Sequence, residues 1–369
     1  MQRIQPESPS EIVSVVRSHA EQRRPLAIEG SGSKSGLGRP VEAEALLSAR
    51  GLSGITTYQP DELVLTAWSG TPMREIWDAL VEKRQHLAFE PAASTLYGSG
   101  NEAGTLGGVL ASNLSGPRRP SAGAARDHFL GFSAVNGIGE EFKAGGKVVK
   151  NVTGYDLPKL LTGSMGTLAV LLEVTVKVLP APEKQRTVIV PVAARSGVDL
   201  VRGASSVIAA LRLTGSPVSV ADRCAAVRAA IGVPTEELHT ARSQALWSEI
   251  NEVSGLLPTE TAVLWRLSVP PAAGERIAAQ LGGGDDWLMD WGGGRIWMTR
   301  RDASAEDAAV VRKAVAVVGG HATLVRGPDV LRRAIDVFPM EAPPALLQRT
   351  KAAFDPHGIF NPGRMYRDW

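Results

Sequence analysis

The chain has little cysteine, no large excess of positive or negative charge and no long hydrophobic run. Its 369 residues include one cysteine, Cys224, which excludes an intrachain disulfide, a cysteine-ligated iron–sulfur cluster and a cysteine zinc site. The 40 Lys and Arg residues almost balance the 38 Asp and Glu residues, which argues against nucleic acid as the main partner. No apolar run approaches the ~20 residues that span a bilayer, and the first residues lack the apolar segment of a secretory signal. The sequence therefore predicts a cytoplasmic protein without a transmembrane segment.

Apolar residues and glycines are present in quantity. Hydrophobic residues make up 44% of the chain and charged residues 21%, as in a globular protein with a full core. The length suggests two or three domains. The 39 glycines matter most where they fall at the ends of predicted helices and strands, because glycine lets the backbone approach a ligand closely.

Helix and strand signals mix along the whole chain and predict an α+β fold. A capping box at Ser8 predicts the first helix, and strict alternation from Leu168 to Val178 predicts a long strand. Pro180 and Pro182 end that strand and predict a domain boundary. Further strands are predicted at 25–29, 63–67, 87–89, 129–135, 187–191, 263–269, 287–290, 295–299 and 321–325. Further helices are predicted at 73–84, 109–113, 157–161, 198–212, 235–254, 272–281 and 304–318, with a last one from 346.

Three loops rich in glycine and hydroxyl residues are the candidate binding site. Taken singly, each also fits a structural role as a surface turn or as tight helix packing. Together they predict a long ligand with phosphates held by backbone N–H groups. The spacing in the first loop matches neither a Walker loop nor the dinucleotide fingerprint. The candidate residues are Gly30, Ser31, Gly32, Ser33, Lys34, Ser35 and Gly36 in the first loop, Thr105, Gly107, Gly108, Asn113 and Ser115 in the second, and Gly163, Ser164, Gly166, Thr167 and Val170 in the third.

The order of these motifs resembles the PCMH-type FAD-binding flavoproteins of the vanillyl-alcohol oxidase family. The resemblance implies that the first loop wraps the FAD pyrophosphate, the second follows it toward the isoalloxazine, and the third contacts the adenine side. The stretch from Phe354 to Met365 resembles the family's C-terminal motif, which adds Asn361 to the cofactor residues. The implied organisation is a two-part FAD-binding domain at 1–182, a smaller α+β cap domain at 183–344, and a segment at 345–369 that returns to the FAD domain.

Within that family, the chain is most similar to the glycolate oxidase FAD-binding subunits of the E type, through 150–157, 320–324 and its short length. This resemblance implies an FAD-dependent oxidoreductase that acts on the CH–OH group of a small 2-hydroxy acid, glycolate to glyoxylate, and passes the electrons to a partner. The implied partners are a larger FAD-binding subunit and an iron–sulfur subunit, through which the chain could also lie at the inner membrane. Members with covalent FAD use a histidine in the first loop, where this chain has Ser33 and Lys34, so non-covalent FAD is implied.

Residues that would carry out the oxidation are hard to find in the sequence. Larger catalytic relatives carry a His-x-His metal motif, whereas the 6 histidines here lie far apart, so no metal is predicted. The compact candidates are His321 as a base and Arg326 as the cation for a carboxylate. Their separation of five would place them on opposite faces of a straight strand, which favours a structural role for His321.

Two other functions therefore stay open. One is a self-sufficient FAD-dependent 2-hydroxy acid dehydrogenase, and the other is a non-catalytic assembly subunit with a structural flavin site. Trp287, Trp291 and Trp297 lie close together in sequence. They favour a hairpin core or a partner interface over a wall above the flavin, since tryptophan is enriched at interface hot spots.

Overall fold

The structure is a computed structural model, and contacts within it divide the chain into two compact units. Unit 1 comprises Met1–Pro180 and Asp336–Trp369, and unit 2 comprises Ala181–Ile335. Residues 336–344 thus belong to unit 1, although the predicted cap domain extends to 344. Pro339 explains the difference, because its carbonyl accepts a hydrogen bond of 3.2 Å from the Tyr366 hydroxyl in the tail. The described residues are 1–92, 103–146, 154–192, 200–203, 206–256, 263–282, 287–301, 304–340 and 342–369, with only the backbone described for 192, 200–203 and 206–207.

Strands and helices alternate irregularly along the described chain. The strands are β1 (Gln2–Ile4), β2 (Leu26–Glu29), β3 (Ala45–Ser48), β4 (Ile55–Gln59), β5 (Val64–Trp68), β6 (Gln85–His86), β7 (Phe129–Val135), β8 (Glu141–Gly145), β9 (Val170–Lys177), β10 (Leu179–Pro180), β11 (Lys184–Val192), β12 (Leu200–Gly203), β13 (Ser206–Gly215), β14 (Glu236–His239), β15 (Val263–Ser268), β16 (Trp287–Asp290), β17 (Arg295–Arg300) and β18 (His321–Arg326). The helices are α1 (Pro9–Glu21), α2 (Met73–Glu82), α3 (Leu106–Ser112), α4 (Arg119–Ala122), α5 (Ala125–His128), α6 (Leu157–Leu161), α7 (Pro217–Ile231), α8 (Thr240–Glu252), α9 (Gly274–Leu281), α10 (Ala305–Ala316), α11 (Asp329–Ala334) and α12 (Pro344–Phe354). No helix in the described part of the chain is both long enough and apolar enough to cross a membrane.

Unit 1 is built on two main sheets. A parallel sheet has the strand order β1-β3-β2, and an antiparallel sheet has the order β4-β5-β9-β7-β8. Strand β9 is covered on both faces, because Val170 and Leu172 pack with α1 and the parallel sheet while Leu171 and Val174 pack with α2 and α3. The tail joins the parallel sheet where Phe360 bridges to Leu26. The beginning of the chain, its end and the long strand β9 therefore share one core.

Unit 2 is an antiparallel sheet with helices packed against it. Its strand order is β14-β11-β13-β12-β16-β17-β15-β18. Strands β15 and β17 pair without interruption from Val263 opposite Arg300 to Ser268 opposite Arg295. The face that carries Ile296 and Met298 is apolar, since both side chains are fully buried.

Two predicted elements are wrong. The strand predicted at 87–89 is a turn, and the short strand β6 precedes it. The described part of the helix predicted at 198–212 is instead β12 and the beginning of β13, and β11 pairs along its whole length with β13. Apolar runs of this length do not distinguish strand from helix by themselves, and the neighbouring strand decides the outcome. Helix α7 was not predicted, although Pro217 at its first turn and Gly232 just after it, with a φ of +67°, are the usual end signals.

Candidate cofactor-binding site

One cavity in unit 1 collects most of the residues that the sequence singled out. It has a volume of about 240 Å³ and lies between the loop after β2, the start of α3, the start of β9 and the tail. These elements come from four separate parts of the chain, so the cavity exists only in the folded unit. The predicted cofactor residues that line it are Gly30, Ser31, Gly32, Ser33, Lys34, Ser35, Thr105, Gly107, Gly108, Gly166, Val170 and Asn361.

The first loop turns sharply where β2 ends. Gly32 has a φ of +81°, and its carbonyl accepts a hydrogen bond of 3.0 Å from the Ser35 N–H. Position 30 requires glycine, because a Cβ there would collide with the Thr105 hydroxyl. The Ser31 Oγ is buried and has no hydrogen-bond partner among the described residues. A buried hydroxyl of this kind is costly unless a ligand completes it.

Lys34 places an ammonium group inside the loop. Its Nζ donates to the Ser33 Oγ at 2.9 Å and approaches the Ala103 carbonyl at 3.5 Å. Gly104 makes room for it, because a Cβ at that position would collide with the Lys34 Nζ. Burial lowers the pKa of Lys34 from 10.5 to about 8. The group remains mostly charged at pH 7, and a bound anion would favour that form.

Further charged residues, which the sequence did not predict, also line the cavity. Arg364 donates from its NH2 group to the Lys34 carbonyl at 2.9 Å, and the Arg39 N–H donates to the Arg364 carbonyl at 2.9 Å. Glu29 also lines the cavity and pairs with Arg3. Burial raises the pKa of Glu29, while Arg3 and Arg364 act in the opposite direction. Arg364 could have been found, since it directly follows the Asn-Pro-Gly sequence of the tail motif.

Asn361 fastens the tail to β2 and to the third loop. Its Oδ1 accepts a hydrogen bond of 2.9 Å from the Ile28 N–H, and its Nδ2 donates to the Met165 carbonyl at 2.8 Å. Asn361 has a φ of +42°, in the left-handed region that asparagine tolerates better than most residues. The residue lines the cavity and also holds two of its walls together.

Six predicted cofactor residues are not among those that line the cavity: Gly36, Asn113, Ser115, Gly163, Ser164 and Thr167. Several of them shape the local backbone instead. The Ser115 Oγ accepts from the Ala125 N–H at 2.9 Å, and the Thr167 hydroxyl donates to the Ser164 carbonyl at 2.7 Å. Gly163 has a φ of +83°, and its N–H donates to α3. Asn113 ends α3 in the left-handed conformation.

The catalytic candidates His321 and Arg326 lie in unit 2, on β18. The pairing of β15 with β18 shifts by one residue, because Leu264 faces Arg326 while Trp265 faces Leu324. This β-bulge returns Arg326 to the face that carries His321. The expectation that the two side chains lie on opposite faces is therefore wrong.

Of the tryptophan cluster, Trp297 belongs to the interior of unit 2, whereas Trp287 and Trp291 are half-buried. Trp297 is buried, and the guanidinium of Arg295 lies 4.2 Å from the centre of the Trp291 ring and 5.2 Å from that of Trp297. Arg295 also pairs with the fully buried Asp290. These contacts agree with the hairpin-core interpretation for Trp291 and Trp297. Among the described residues, no group of three or more His, Cys, Asp and Glu side chains is arranged to hold a metal.

The cavity fits the pyrophosphate of a dinucleotide cofactor. A turn of small residues lines the cavity, Lys34 supplies a positive charge, and the buried Ser31 hydroxyl lacks a partner among the described residues. Gly30 and Gly104 remove the side chains that would fill the space. Such a site stabilises an anion mainly through backbone donors and one buried cation.

Comparisons with known proteins agree with this geometry. A family model described as an FAD binding domain matches residues 2–145. The glycolate oxidase subunit GlcE of Escherichia coli (strain K12) is 36% identical over 367 residues, which cover 97% of this chain and 97% of that protein. D-lactate dehydrogenase of Archaeoglobus fulgidus is 30% identical over 189 residues, which cover 51% of this chain and 41% of that protein.

A solved structure of alkyldihydroxyacetonephosphate synthase matches with a TM-score of 0.66 at 14% identity, covering 98% of this chain and 76% of that one. At this identity the match shows the fold alone, and it confirms the predicted fold class. The full-length similarity to GlcE and the FAD-domain match confirm the predicted cofactor and the reaction type. The chain belongs to the family of the glycolate oxidase subunit GlcE and is an FAD-dependent oxidoreductase.

Proposed function

We propose that this chain binds FAD without a covalent bond and works as one subunit of a complex that oxidises glycolate to glyoxylate. The similarity to GlcE over 97% of both chains carries the proposal, because it extends through both units rather than the FAD-binding part alone. The relatives named D-lactate dehydrogenase support the wider class of 2-hydroxy acids.

The cavity of unit 1 would hold the FAD. The backbone of Gly30 to Ser35 and the Lys34 ammonium would bind the pyrophosphate, with the Ser31 hydroxyl as a further donor. Thr105 and Gly107, beside the first loop, would keep the wall of α3 close to the cofactor. The first loop holds no histidine, so it offers no imidazole for a flavin bond. Release of yellow flavin into the supernatant after acid precipitation would test the non-covalent state, whereas flavin retained in the pellet would contradict it.

The reaction removes two electrons and two protons from a CH–OH group. Bound FAD would supply the two-electron acceptor. The chain's own residues must hold the carboxylate of the acid and receive the hydroxyl proton. His321 and Arg326 are the candidates for these roles, and the two share one face of the sheet in unit 2. General-base catalysis by such a group typically contributes 10²–10⁴-fold in rate.

A partner would take the electrons onward. The single cysteine of this chain cannot ligate an iron–sulfur cluster, so an electron chain that ends in such a cluster needs another subunit. The word "subunit" in the name of the GlcE relative supports a complex. We propose a larger FAD-binding subunit and an iron–sulfur subunit as the partners, with the assembly in the cytoplasm or attached to the inner membrane through them.

Anaerobic flavin reduction tests the function. Glycolate and D-lactate are added to the purified chain and to the reconstituted complex, and the loss of flavin absorbance is followed. We expect rapid bleaching with glycolate in the complex and slow or no bleaching in the isolated chain. Rapid bleaching of the isolated chain would identify a self-sufficient dehydrogenase. A complex that oxidises glycolate equally well with the FAD-free form of this chain would indicate an assembly subunit.

A further inference from the structure

The third loop has a run of left-handed backbone where it meets the cofactor cavity. Gly163, Met165 and Gly166 have φ values of +83°, +54° and +70°. Met165 and Gly166 both line the cavity. Glycine adopts this conformation freely, whereas a residue with a Cβ is strained in it, so Met165 needs contacts from outside the loop to hold it. We call residues 163–167 the third-loop turn.

Two parts of the chain hold the third-loop turn from different sides. On the side of α3, the Met165 N–H donates to the Ala111 carbonyl at 2.8 Å, and the Gly163 N–H donates to the Leu110 carbonyl at 3.2 Å. On the side of the tail, the Asn361 Nδ2 donates to the Met165 carbonyl at 2.8 Å. Helix α3 therefore binds N–H groups of the turn, while the tail binds a carbonyl group. Strained backbone persists only where such surrounding contacts determine it, and it is common where a protein grips a ligand.

Lys351 of α12 gives the turn a second contact from the tail. Its Nζ donates to the Thr167 carbonyl at 2.7 Å, to the Asp355 Oδ2 at 2.6 Å and to the Phe360 carbonyl at 3.1 Å. These three acceptors match the three N–H groups of an ammonium. The side chain is only 7% exposed. Removing the ammonium would therefore leave buried acceptors without a donor, and the Thr167 carbonyl is one of them.

Asp355 ties the same ammonium to the segment that carries Asn361. Its Oδ1 accepts from the Ile359 N–H at 3.1 Å, and its Oδ2 accepts from the Phe360 N–H at 2.8 Å. The carboxylate is fully buried. Because Asn361 directly follows Phe360, the ion pair fixes the backbone from which Asn361 reaches the third-loop turn. Both tail contacts to the turn thus depend on one buried ion pair.

We propose that Lys351 is a positioning residue for FAD, which keeps the third-loop turn in the left-handed conformation that forms one wall of the cofactor cavity. Lys351 itself is not among the residues that line the cavity, so it acts through the Thr167 carbonyl. Without the ammonium, the turn relaxes toward the backbone conformations that a methionine prefers. Only the fraction of molecules with the turn formed then binds FAD with full affinity. This inference rests on the proposed function, in which the cavity of unit 1 holds FAD.

FAD binding by K351M tests the role of the ammonium. The FAD-free chain is titrated with FAD by fluorescence, at a temperature where circular dichroism shows that the variant is folded. We expect the dissociation constant to rise about tenfold or more, since a charge-assisted bond to the turn is lost. R349M, at an exposed arginine of the same helix, is the matched control and should bind as the wild type does. A folded K351M with wild-type affinity would overturn the proposal.

A second control separates affinity from stability. L80A shortens a buried side chain of α2 that does not line the cavity, so it should lower the melting temperature. Once folded, L80A should bind FAD with wild-type affinity, whereas K351M should not. If L80A loses as much affinity as K351M, the loss reflects general destabilisation and the positioning role is wrong.

Substitutions of Met165 test whether the effect passes through the third-loop turn. M165A and M165G both remove the long side chain, but only glycine adopts the left-handed conformation without strain. In the chain that keeps Lys351 the turn is held in either case, so we expect the two variants to bind FAD equally. In the K351M background we expect M165G to bind FAD roughly fivefold more tightly than M165A. Equal affinities in that background would overturn the proposal, because the loss would not arise from the backbone of the turn.

The unpaired Asp355 carboxylate could prevent K351M from folding. In that case K351M/D355N, which removes both charges and keeps an acceptor oxygen at position 355, decides the question in the same titrations. The outcome is again read from the FAD affinity and from the comparison of M165A with M165G in that background.

Activity of the reconstituted complex separates this inference from the proposed function. If the complex oxidises glycolate and folded K351M binds FAD as the wild type does, the positioning role is wrong and the function stands. If the FAD affinities follow the expected pattern but the complex oxidises no 2-hydroxy acid, the function is wrong and the positioning role stands.

Discussion

The buried ammonium of Lys34 is the most revealing group to change. Substitution by methionine keeps an unbranched side chain that is one atom shorter and removes its charge. Lys34 lies in the loop that we propose binds the FAD pyrophosphate, and its Nζ is held at 2.9 Å from the Ser33 hydroxyl. One unit-charge pair at about 4 Å with an effective dielectric constant of 20 is worth about 4 kcal/mol. We therefore expect FAD to bind K34M on the order of a thousandfold more weakly.

The pH dependence of FAD affinity follows from the same group. Burial lowers the pKa of Lys34 to about 8, so the ammonium form, which attracts the pyrophosphate, dominates below pH 8. Above that pH the neutral amine must take up a proton before it can pair with the cofactor. The dissociation constant for FAD is then expected to rise by up to roughly tenfold per pH unit, until the pKa of the complex is reached.

As the pH rises, the affinity for FAD should fall, whereas the stability of the FAD-free chain should increase. The unfolded chain binds the Lys34 proton more tightly than the folded chain, because the folded pKa is depressed from 10.5 to about 8. Proton linkage therefore raises the free energy of unfolding as the pH increases from 8 to 10.5. The gain is about 3 kcal/mol at most, from 1.36 kcal/mol per pKa unit. K34M should lack this rise and should be more stable than the wild type at pH 7.

Fluorescence titration of the FAD-free chain between pH 6.5 and 10 measures the affinity, and urea unfolding over the same range measures the stability. K83M, which changes an exposed lysine just after α2, is the matched control and should behave as the wild type does. A K34M variant that binds FAD with wild-type affinity and a flat pH profile would refute the reasoning. It would mean that the backbone N–H groups hold the pyrophosphate without the ammonium.

Three further changes test the walls of the cavity and the attachment of the tail. Gly104 has a φ of +88°, and a Cβ at this position would collide with the Lys34 Nζ. G104A should therefore lose FAD affinity while the chain stays folded. G146A, at a glycine with open space around it, is the control for flavin content. N361L should lower the free energy of unfolding by about 1–3 kcal/mol per unsatisfied buried group and release flavin, as measured by urea unfolding with and without FAD. K351M should cost about 3–5 kcal/mol in thermal unfolding, because it leaves the buried Asp355 carboxylate without its cation. Wild-type melting temperatures for K351M would show that Asp355 is stabilised by other groups.

The sequence predicted the parts of the site that depend on local backbone chemistry. A succession of small residues directly after a strand marked the first loop, and most of these residues line one cavity in the structure. The helix caps and the alternation along β9 are local patterns too, and the structure places them within a few residues of the prediction. The strand at Phe129–Val135 and the helix at Leu157–Leu161 lie where the sequence placed them.

Features that depend on contacts distant in sequence could not be predicted. Arg39 lines the cavity and donates its N–H to the carbonyl of Arg364 in the tail, and no spacing in the sequence reveals that pairing. Strand β13 was predicted as helix because its neighbour β11, and not its own residues, decides its structure. Asn113 and Ser115 were assigned to the cofactor by motif. Their contacts shape the end of α3 and the segment after it.

The bulge in β18 shows why counting along a strand misjudged the catalytic candidates. A separation of five places two residues on opposite faces only if the pairing register is continuous. One extra residue, Val325, reverses that conclusion and places His321 and Arg326 on one side of the sheet. A valine in a strand gives no local sign that it is the extra residue, since valine fits a regular strand equally well. The two candidates that sequence arithmetic separates are therefore the two that the fold brings to a common face.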